Sequence, residues 1–328
     1  MNKTDPSESL PPPPSLMKAL TAGFDAISNH AWLVVFTLVF DLVLWLGPKF
    51  RLYELFQKTL TQSASLSMLD NPELLESFWV TIQSFNFLSI MRTFPVGVPS
   101  LMVTRNPLES PLGNPMIIEI NTFGAAIIFW LGINLIGILA GTIYFALVAQ
   151  VATKGKILWQ TLLKKFPAIL MQIFMLTVSW VILLFIIGLP FSCILSFILF
   201  SGIGLEQVGL FLAVIAGGFL IWLMIPLFFS PHGIVLYQQK LWNSVTNSFR
   251  VARMTLPTTS LLIMIVVLIS EGMSILWQMP SASSWMTLIG ILGHAFITTS
   301  LLASTFIYFQ DADQWVIKVL EKARLSIA

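Results

Sequence analysis

Three ionisable side chains lie inside apolar stretches of this sequence: Asp41, Glu271 and His294. Such residues are costly within a bilayer and often mark ion or substrate pathways. Glu271 and His294 belong to neighbouring stretches joined by a short loop, so their side chains can meet. Together with Asp41 they predict a proton or cation site. The alternative interpretation is a structural hydrogen-bonded pair, or side chains that reach the nearer lipid headgroups.

No other residue pattern indicates catalysis. The sequence has no HExxH, GxSxG or P-loop, and no GxGxxG that opens a helix. Its three histidines are scattered and it has one cysteine, so the sequence predicts no metal site. We therefore expect a protein that is not an enzyme, with no catalytic residue, metal or cofactor. A lipid enzyme whose polar residues converge only in three dimensions is a third alternative.

The composition is that of a membrane protein. Hydrophobic residues make up 56% of the chain and charged residues 10%, and the mean hydropathy is +0.87. Soluble domains have about 45–50% apolar and about 25% charged residues. We predict an all-α polytopic membrane helix bundle of about six transmembrane helices, with amphipathic interfacial helices and a short re-entrant or interfacial segment. The net charge of +2 gives no indication of nucleic-acid binding.

The domain organisation follows the apolar runs, because about twenty helical residues cross a bilayer's hydrocarbon. Residues 15–309 form a single transmembrane domain, preceded by a disordered tail at 1–14 and followed by an amphipathic cytoplasmic tail at 310–328. Residues 48–115 are of mixed polarity and rich in proline, which predicts a helical extracytoplasmic cap. The predicted spans are 31–47, 119–145, 168–189, 208–229, 258–277 and 285–309.

An amphipathic basic segment precedes several of these spans. In residues 241–256 the apolar positions Trp242, Val245, Phe249, Ala252 and Leu256 recur at spacings of three and four, which is typical of a helix lying on a membrane surface. Similar segments at 154–165 and 17–24 indicate three related building blocks, or simply the common form of a surface helix. Seven basic residues are expected to contact anionic inner-leaflet headgroups: Lys154, Lys156, Lys164, Lys165, Lys240, Arg250 and Arg253.

The distribution of positive charge predicts the orientation. Six spans place both termini on one side, and that side holds twelve of the 17 Lys and Arg residues. Positive residues favour the cytoplasmic side, so both termini are predicted to be cytoplasmic and the protein to lie in the inner membrane. Pro190 is expected to end the third span. A further crossing by residues 191–205 would move Lys240 and Arg253 outside, which contradicts this rule.

Small residues at helical spacing predict close helix packing. Gly137 and Gly141 form a GxxxG pattern, and Ser300 and Ser304 have the same spacing. Such pairs let two helix backbones approach closely within a bilayer. The partner helix can belong to this chain or to another membrane protein.

The stretch from Phe228 to Val267, with NSVTNSF in its surface helix and a following span, resembles the repeating unit of certain bacterial multi-pass membrane proteins. These include the membrane domain attached to some glycerophosphodiester phosphodiesterases and the YciC-like proteins. The resemblance covers Tyr144 to Phe309 and implies a bacterial integral membrane protein. The phosphodiesterase catalytic domain has no counterpart here, so no active-site residue carries over. The cap also departs from that pattern.

These observations favour a scaffold, assembly or membrane-organising component whose partners are the bilayer and, as an alternative, another membrane protein. A transporter or channel component that uses Asp41, Glu271 and His294 is the second hypothesis. It predicts a water-accessible cavity that joins the three residues.

Overall fold

The computed structural model describes residues 12–61, 72–200 and 206–327. Most of the predicted tail at 1–14 lies outside these ranges. The first part of the chain forms α1 (Leu16–Ser28), a 3-10 helix (Ala31–Val34), α2 (Val35–Leu46), β1 (Lys49–Arg51), α3 (Tyr53–Thr61), α4 (Pro72–Ser84), a second 3-10 helix (Phe87–Met91), α5 (Leu101–Arg105) and β2 (Ile117–Glu119). The remainder forms α6 (Phe123–Lys154), α7 (Trp159–Phe200), α8 (Glu206–Leu227), α9 (Ser230–Tyr237), α10 (Leu241–Met254), α11 (Leu256–Trp277) and α12 (Thr287–Ile327).

The predicted all-α polytopic bundle is confirmed. Within the described ranges, five helical segments are long and apolar enough to cross a membrane: α6, α7, α8 together with α9, α11 and α12. A sixth is obtained if α1 and the bent segment Ala31–Leu46 are counted as one span. The protein is therefore an integral membrane protein with five or six crossings.

The first predicted span, at 31–47, corresponds to the helical segment Ala31–Leu46, which is sharply bent against α1. The axes of α1 and Ala31–Leu46 meet at 91°. α1 packs along α12, where Ala19 and Gly23 face Ser300, Ser304 and the residues that follow them. The segment at 17–24, expected on the membrane surface, is thus part of the bundle. Its small residues at a spacing of four allow the close approach.

Two further helices differ from the expected pattern of span and surface helix. Pro190 does not end the third span, because α7 continues through Pro167 and Pro190 to Phe200. Proline is tolerated in membrane helices, where neighbouring groups satisfy the freed carbonyl. The basic segment at 154–165 is also not a separate helix, since α6 ends at Lys154 and α7 begins at Trp159. α12 likewise continues from its apolar part through the residues expected to form a tail.

The cap, defined as residues 48–115, contains a strand as well as the predicted helices. β1 pairs in parallel with β2, which joins the start of the cap to the chain just before α6. Arg51 and Glu119 form an ion pair of 3.2 Å across the two strands, so Glu119 lies before span two rather than within it. Lys49 donates to the Pro107 carbonyl, and burial lowers the pKa of its ammonium.

The cap packs closely against α6 through the predicted glycine pair. A Cβ atom on Gly137 would lie 2.4 Å from the Met91 carbonyl oxygen. One on Gly141 would lie 2.8 Å from the Gly97 Cα. The partner of the GxxxG pair is therefore the cap backbone of this chain. The missing side chains at Gly137 and Gly141 let residues 91–97 pack directly on α6.

α10 packs on the α8–α9 junction through a stripe of small residues. The Ser244 hydroxyl donates to the Ser230 carbonyl at 2.6 Å, and the Ser248 hydroxyl donates to the Pro226 carbonyl at 2.7 Å. The buried residues of α10 are Ser244, Ser248, Val251 and Ala252, and Ala252 also belongs to the predicted apolar face. Trp242 and Phe249 are 74% and 51% exposed, which suits contact with lipid.

Candidate functional site

A cavity of about 490 Å³ lies between α8 and α11, within the usual range for ligand sites of about 300–1,000 Å³. α8 packs against α7 and α10, whereas α11 packs against α12 and α10, and the cavity separates the two helices. The cap covers one end. The apolar part of its wall comprises Phe94, Pro95, Pro99, Phe145, Trp180, Met224, Ile225, Leu227, Phe228, Pro231, Ile263, Val266, Val267, Leu301 and Leu302.

The cavity is open to the outside of the bundle. Val267 lines it and is 51% exposed, and both Arg92 and Glu271 on its wall are exposed. Phe94 of the cap meets Trp180 of α7 edge-to-face on the cavity wall, with ring centroids 5.2 Å apart. The cavity is therefore accessible from outside the bundle along α11.

Polar residues gather at the cap end of the cavity. Glu271 and His294, predicted from the sequence to meet, line the same cavity together with Arg92 and Ser100 of the cap. The positive charge of Arg92 acts on both His294 and Asp41. This end thus presents a guanidinium, a carboxyl group and an imidazole to any occupant.

Asp41 lies behind this wall rather than on it. It is fully buried, and its Oδ2 is 3.8 Å from His294 Nδ1. Its two oxygens accept hydrogen bonds from the Ser100 hydroxyl (2.5 Å) and from the backbone N–H groups of Leu101 (3.1 Å) and Met102 (3.0 Å). Asp41 therefore lies beside His294 without lining the cavity itself. Glu271 and His294 reach the cavity, while Asp41 caps α5 and holds the cap in place.

Comparison of the chain with protein-family models, curated proteins and solved structures finds no match. The resemblance inferred from the NSVTNSF segment therefore stays a prediction.

The far end of the cavity holds a histidine that the sequence did not single out. His232 of α9 is buried, and its Nε2 lies 2.8 Å from the Thr305 hydroxyl of α12. The rings of Phe228, Phe229 and Phe306 surround it. His232 is therefore a buried side chain among aromatic rings, and its contact with Thr305 joins α9 to α12. The cluster of phenylalanines around residue 229 is the sequence signal that could have indicated it.

Arg92 was also missed as a site residue, although it is the cationic group at the entrance. Its sequence signal is a single arginine in an apolar run, SIMRTFP, within the proline-rich part of the cap. Only the packing of residues 91–97 on Gly137 and Gly141 brings it beside α11 and α12.

The remaining predicted residues are located as follows. The seven basic residues expected to contact headgroups are all exposed. Within the described ranges, no group of three or more His, Cys, Asp or Glu residues is placed to hold a metal ion.

Proposed function

We propose that this protein is a non-enzymatic component of the membrane that holds a lipid molecule in the cavity between α8 and α11. The single observation that supports this proposal is the open cavity, whose long wall is apolar and whose cap end is polar. A lipid has the same division between chain and headgroup. Retention of such a molecule is consistent with a scaffold, assembly or membrane-organising component.

The length of the cavity supports a single acyl chain as the apolar part of the ligand. On α12 the wall runs from His294 to Thr305, and on α11 it runs from Ile263 to Ser274. At the rise of an α-helix each stretch spans about 16 Å. One leaflet of a bilayer has about 15 Å of hydrocarbon. The cavity thus has the depth that a lipid chain occupies in one leaflet.

The proposal is tested by filling the cavity. Ile263→Trp with Val267→Trp places two indoles on the cavity wall and should lower the amount of lipid that co-purifies from native membranes in mild detergent. We expect a decrease of about tenfold or more, or about 1.4 kcal/mol of binding free energy. Mass spectrometry of the purified protein measures it.

The matched control is Met264→Trp with Leu268→Trp. These residues belong to the same turns of α11, are 52% and 63% exposed and do not line the cavity. The control should retain lipid as the unaltered chain does. If the unaltered protein carries no lipid, or if both double variants retain it equally, the proposal is wrong.

Proton or cation transport is the second candidate, and the shared position of Glu271 and His294 on one cavity wall favours it. A pH-dependent flux into proteoliposomes that Glu271→Gln abolishes would support transport instead of lipid retention.

We further propose that the protein lies in the inner membrane of a bacterium, with both termini in the cytoplasm and its exposed basic residues against anionic headgroups. Supporting this, Leu16 and Ala19 near one end of the chain pack beside Val316 and Leu320 near the other. Reporter tags inserted near residues 160 and 245 should both be found in the cytoplasm. Tags on opposite sides would contradict this arrangement.

A further inference from the structure

Two opposite charges at the cap end of the cavity have no partner of their own. Arg92 and Glu271 both line the cavity and are both exposed. Among the residues that the structure describes, neither side chain forms a hydrogen bond or an ion pair, including with the other. Both side chains are therefore available to a partner that arrives with the ligand.

The positive charge of Arg92 acts on Asp41 and His294, but Arg92 forms no ion pair with either of them. Asp41 is fully buried and its oxygens are already bonded to Ser100, Leu101 and Met102. His294 faces Asp41 on one side and the cavity on the other. His232 is at the far end, bonded to Thr305. The occupant's headgroup therefore meets one guanidinium and one carboxylate at the entrance.

We propose that the occupant is a zwitterionic phospholipid whose headgroup carries a phosphate and a primary ammonium. The phosphate binds the Arg92 guanidinium, which matches phosphate geometry with two parallel N–H donors. The ammonium donates to the Glu271 carboxylate, and the acyl chain lies along α11 and α12. This inference rests on the proposed function, and it deepens it by naming the headgroup that the cavity selects.

An anionic phospholipid without an ammonium fits less well. It would satisfy Arg92 but would leave Glu271 unpaired beside an added negative charge. A quaternary ammonium is also disfavoured, since it has no N–H to donate to the carboxylate. The site should therefore distinguish headgroups that carry the same phosphate.

The test uses the full chain in detergent and native mass spectrometry with three synthetic lipids of equal chain length. These are phosphatidylethanolamine, phosphatidylcholine and phosphatidylglycerol. We expect the unaltered protein to retain phosphatidylethanolamine about tenfold more strongly than the other two, as for one charge-assisted hydrogen bond. This comparison needs no variant, so it stays decisive even if a substitution impairs folding.

Variants then assign the two contacts. Glu271→Gln should abolish the preference for phosphatidylethanolamine over phosphatidylglycerol and leave phosphatidylglycerol retention unchanged or higher. Arg92→Gln should weaken retention of all three lipids by about tenfold. The control Glu109→Gln removes an exposed charge that does not line the cavity, and this variant should behave as the unaltered chain.

The outcomes separate this inference from the function on which it rests. A protein that retains lipid without headgroup preference, or one whose preference survives Glu271→Gln, overturns the headgroup assignment alone. A protein that retains none of the three lipids overturns both.

Discussion

Replacing Asp41 with alanine is expected to detach the cap from the bundle and to lower the free energy of unfolding by about 3 kcal/mol or more. The carboxyl group accepts from one hydroxyl and two backbone N–H groups at the start of α5. Without it these donors stay buried, and each unsatisfied donor costs about 1–3 kcal/mol. Thermal unfolding in detergent, followed by circular dichroism, measures the effect.

Asp25→Ala is a suitable control for this variant, because Asp25 is exposed on α1. It should leave the midpoint of unfolding nearly unchanged. Asp41→Asn retains one carbonyl oxygen as an acceptor and should have an intermediate effect. If Asp41→Ala unfolds at the same temperature as the control, the carboxyl group does not hold the cap.

The same substitution has a consequence for the cavity. Arg92 belongs to the cap segment that Asp41 anchors through Ser100. Loss of the anchor should therefore lower lipid retention together with stability, whereas Glu271→Gln should change headgroup preference and leave stability intact. We therefore expect the two variants to differ, Asp41→Ala acting on stability and Glu271→Gln on headgroup preference.

Replacing Gly23 with leucine should prevent α1 from packing on α12 and lead to loss of folded protein. A Cβ atom at Gly23 would lie 2.6 Å from the Ser304 backbone nitrogen and 2.8 Å from the Ser300 carbonyl oxygen. These are backbone atoms within a helix, so they cannot move aside without displacing α12. Gly23→Ala alone should cost about 2–3 kcal/mol, as overpacked sites do. The yield of monodisperse protein and its unfolding midpoint measure both variants.

Gly132→Ala is the matched control, since a Cβ atom there meets no atom within 4 Å. In a helix this substitution is neutral or stabilising by up to about 1 kcal/mol. A Gly23→Ala protein as stable as the Gly132→Ala protein would show that α1 does not depend on close contact with α12.

The sequence alone was sufficient for the class of protein and for most of the helices. Hydropathy is averaged over residues that are adjacent in the sequence. The apolar stretches at α11 and α12 could therefore be located without knowing what they contact. The small-residue pairs at Gly137, Gly141, Ser300 and Ser304 also indicated close packing. They could not indicate the partner, which is the cap backbone for one pair and α1 for the other.

Breaks between helices were harder to predict, because a local pattern has the same form whether the chain bends or continues. The three basic segments share a sequence pattern, yet one is followed by a 91° bend, one continues into α7, and one ends at Met254. Pro190 was expected to end a helix that in fact continues beyond it. Neighbouring elements decide these cases, through the contacts that each geometry allows.

Which charged side chains line the cavity was decided by the tertiary structure alone. The sequence identified Asp41, Glu271 and His294 because charge is rare in apolar stretches. Whether a side chain lines a cavity or caps a helix depends on residues far away in the chain, and Asp41 is bonded to groups about sixty residues later. Arg92 reaches Glu271's cavity only because two glycines on α6 admit the cap backbone. Local sequence therefore determined which segments lie in the membrane, whereas long-range packing decided which charges meet.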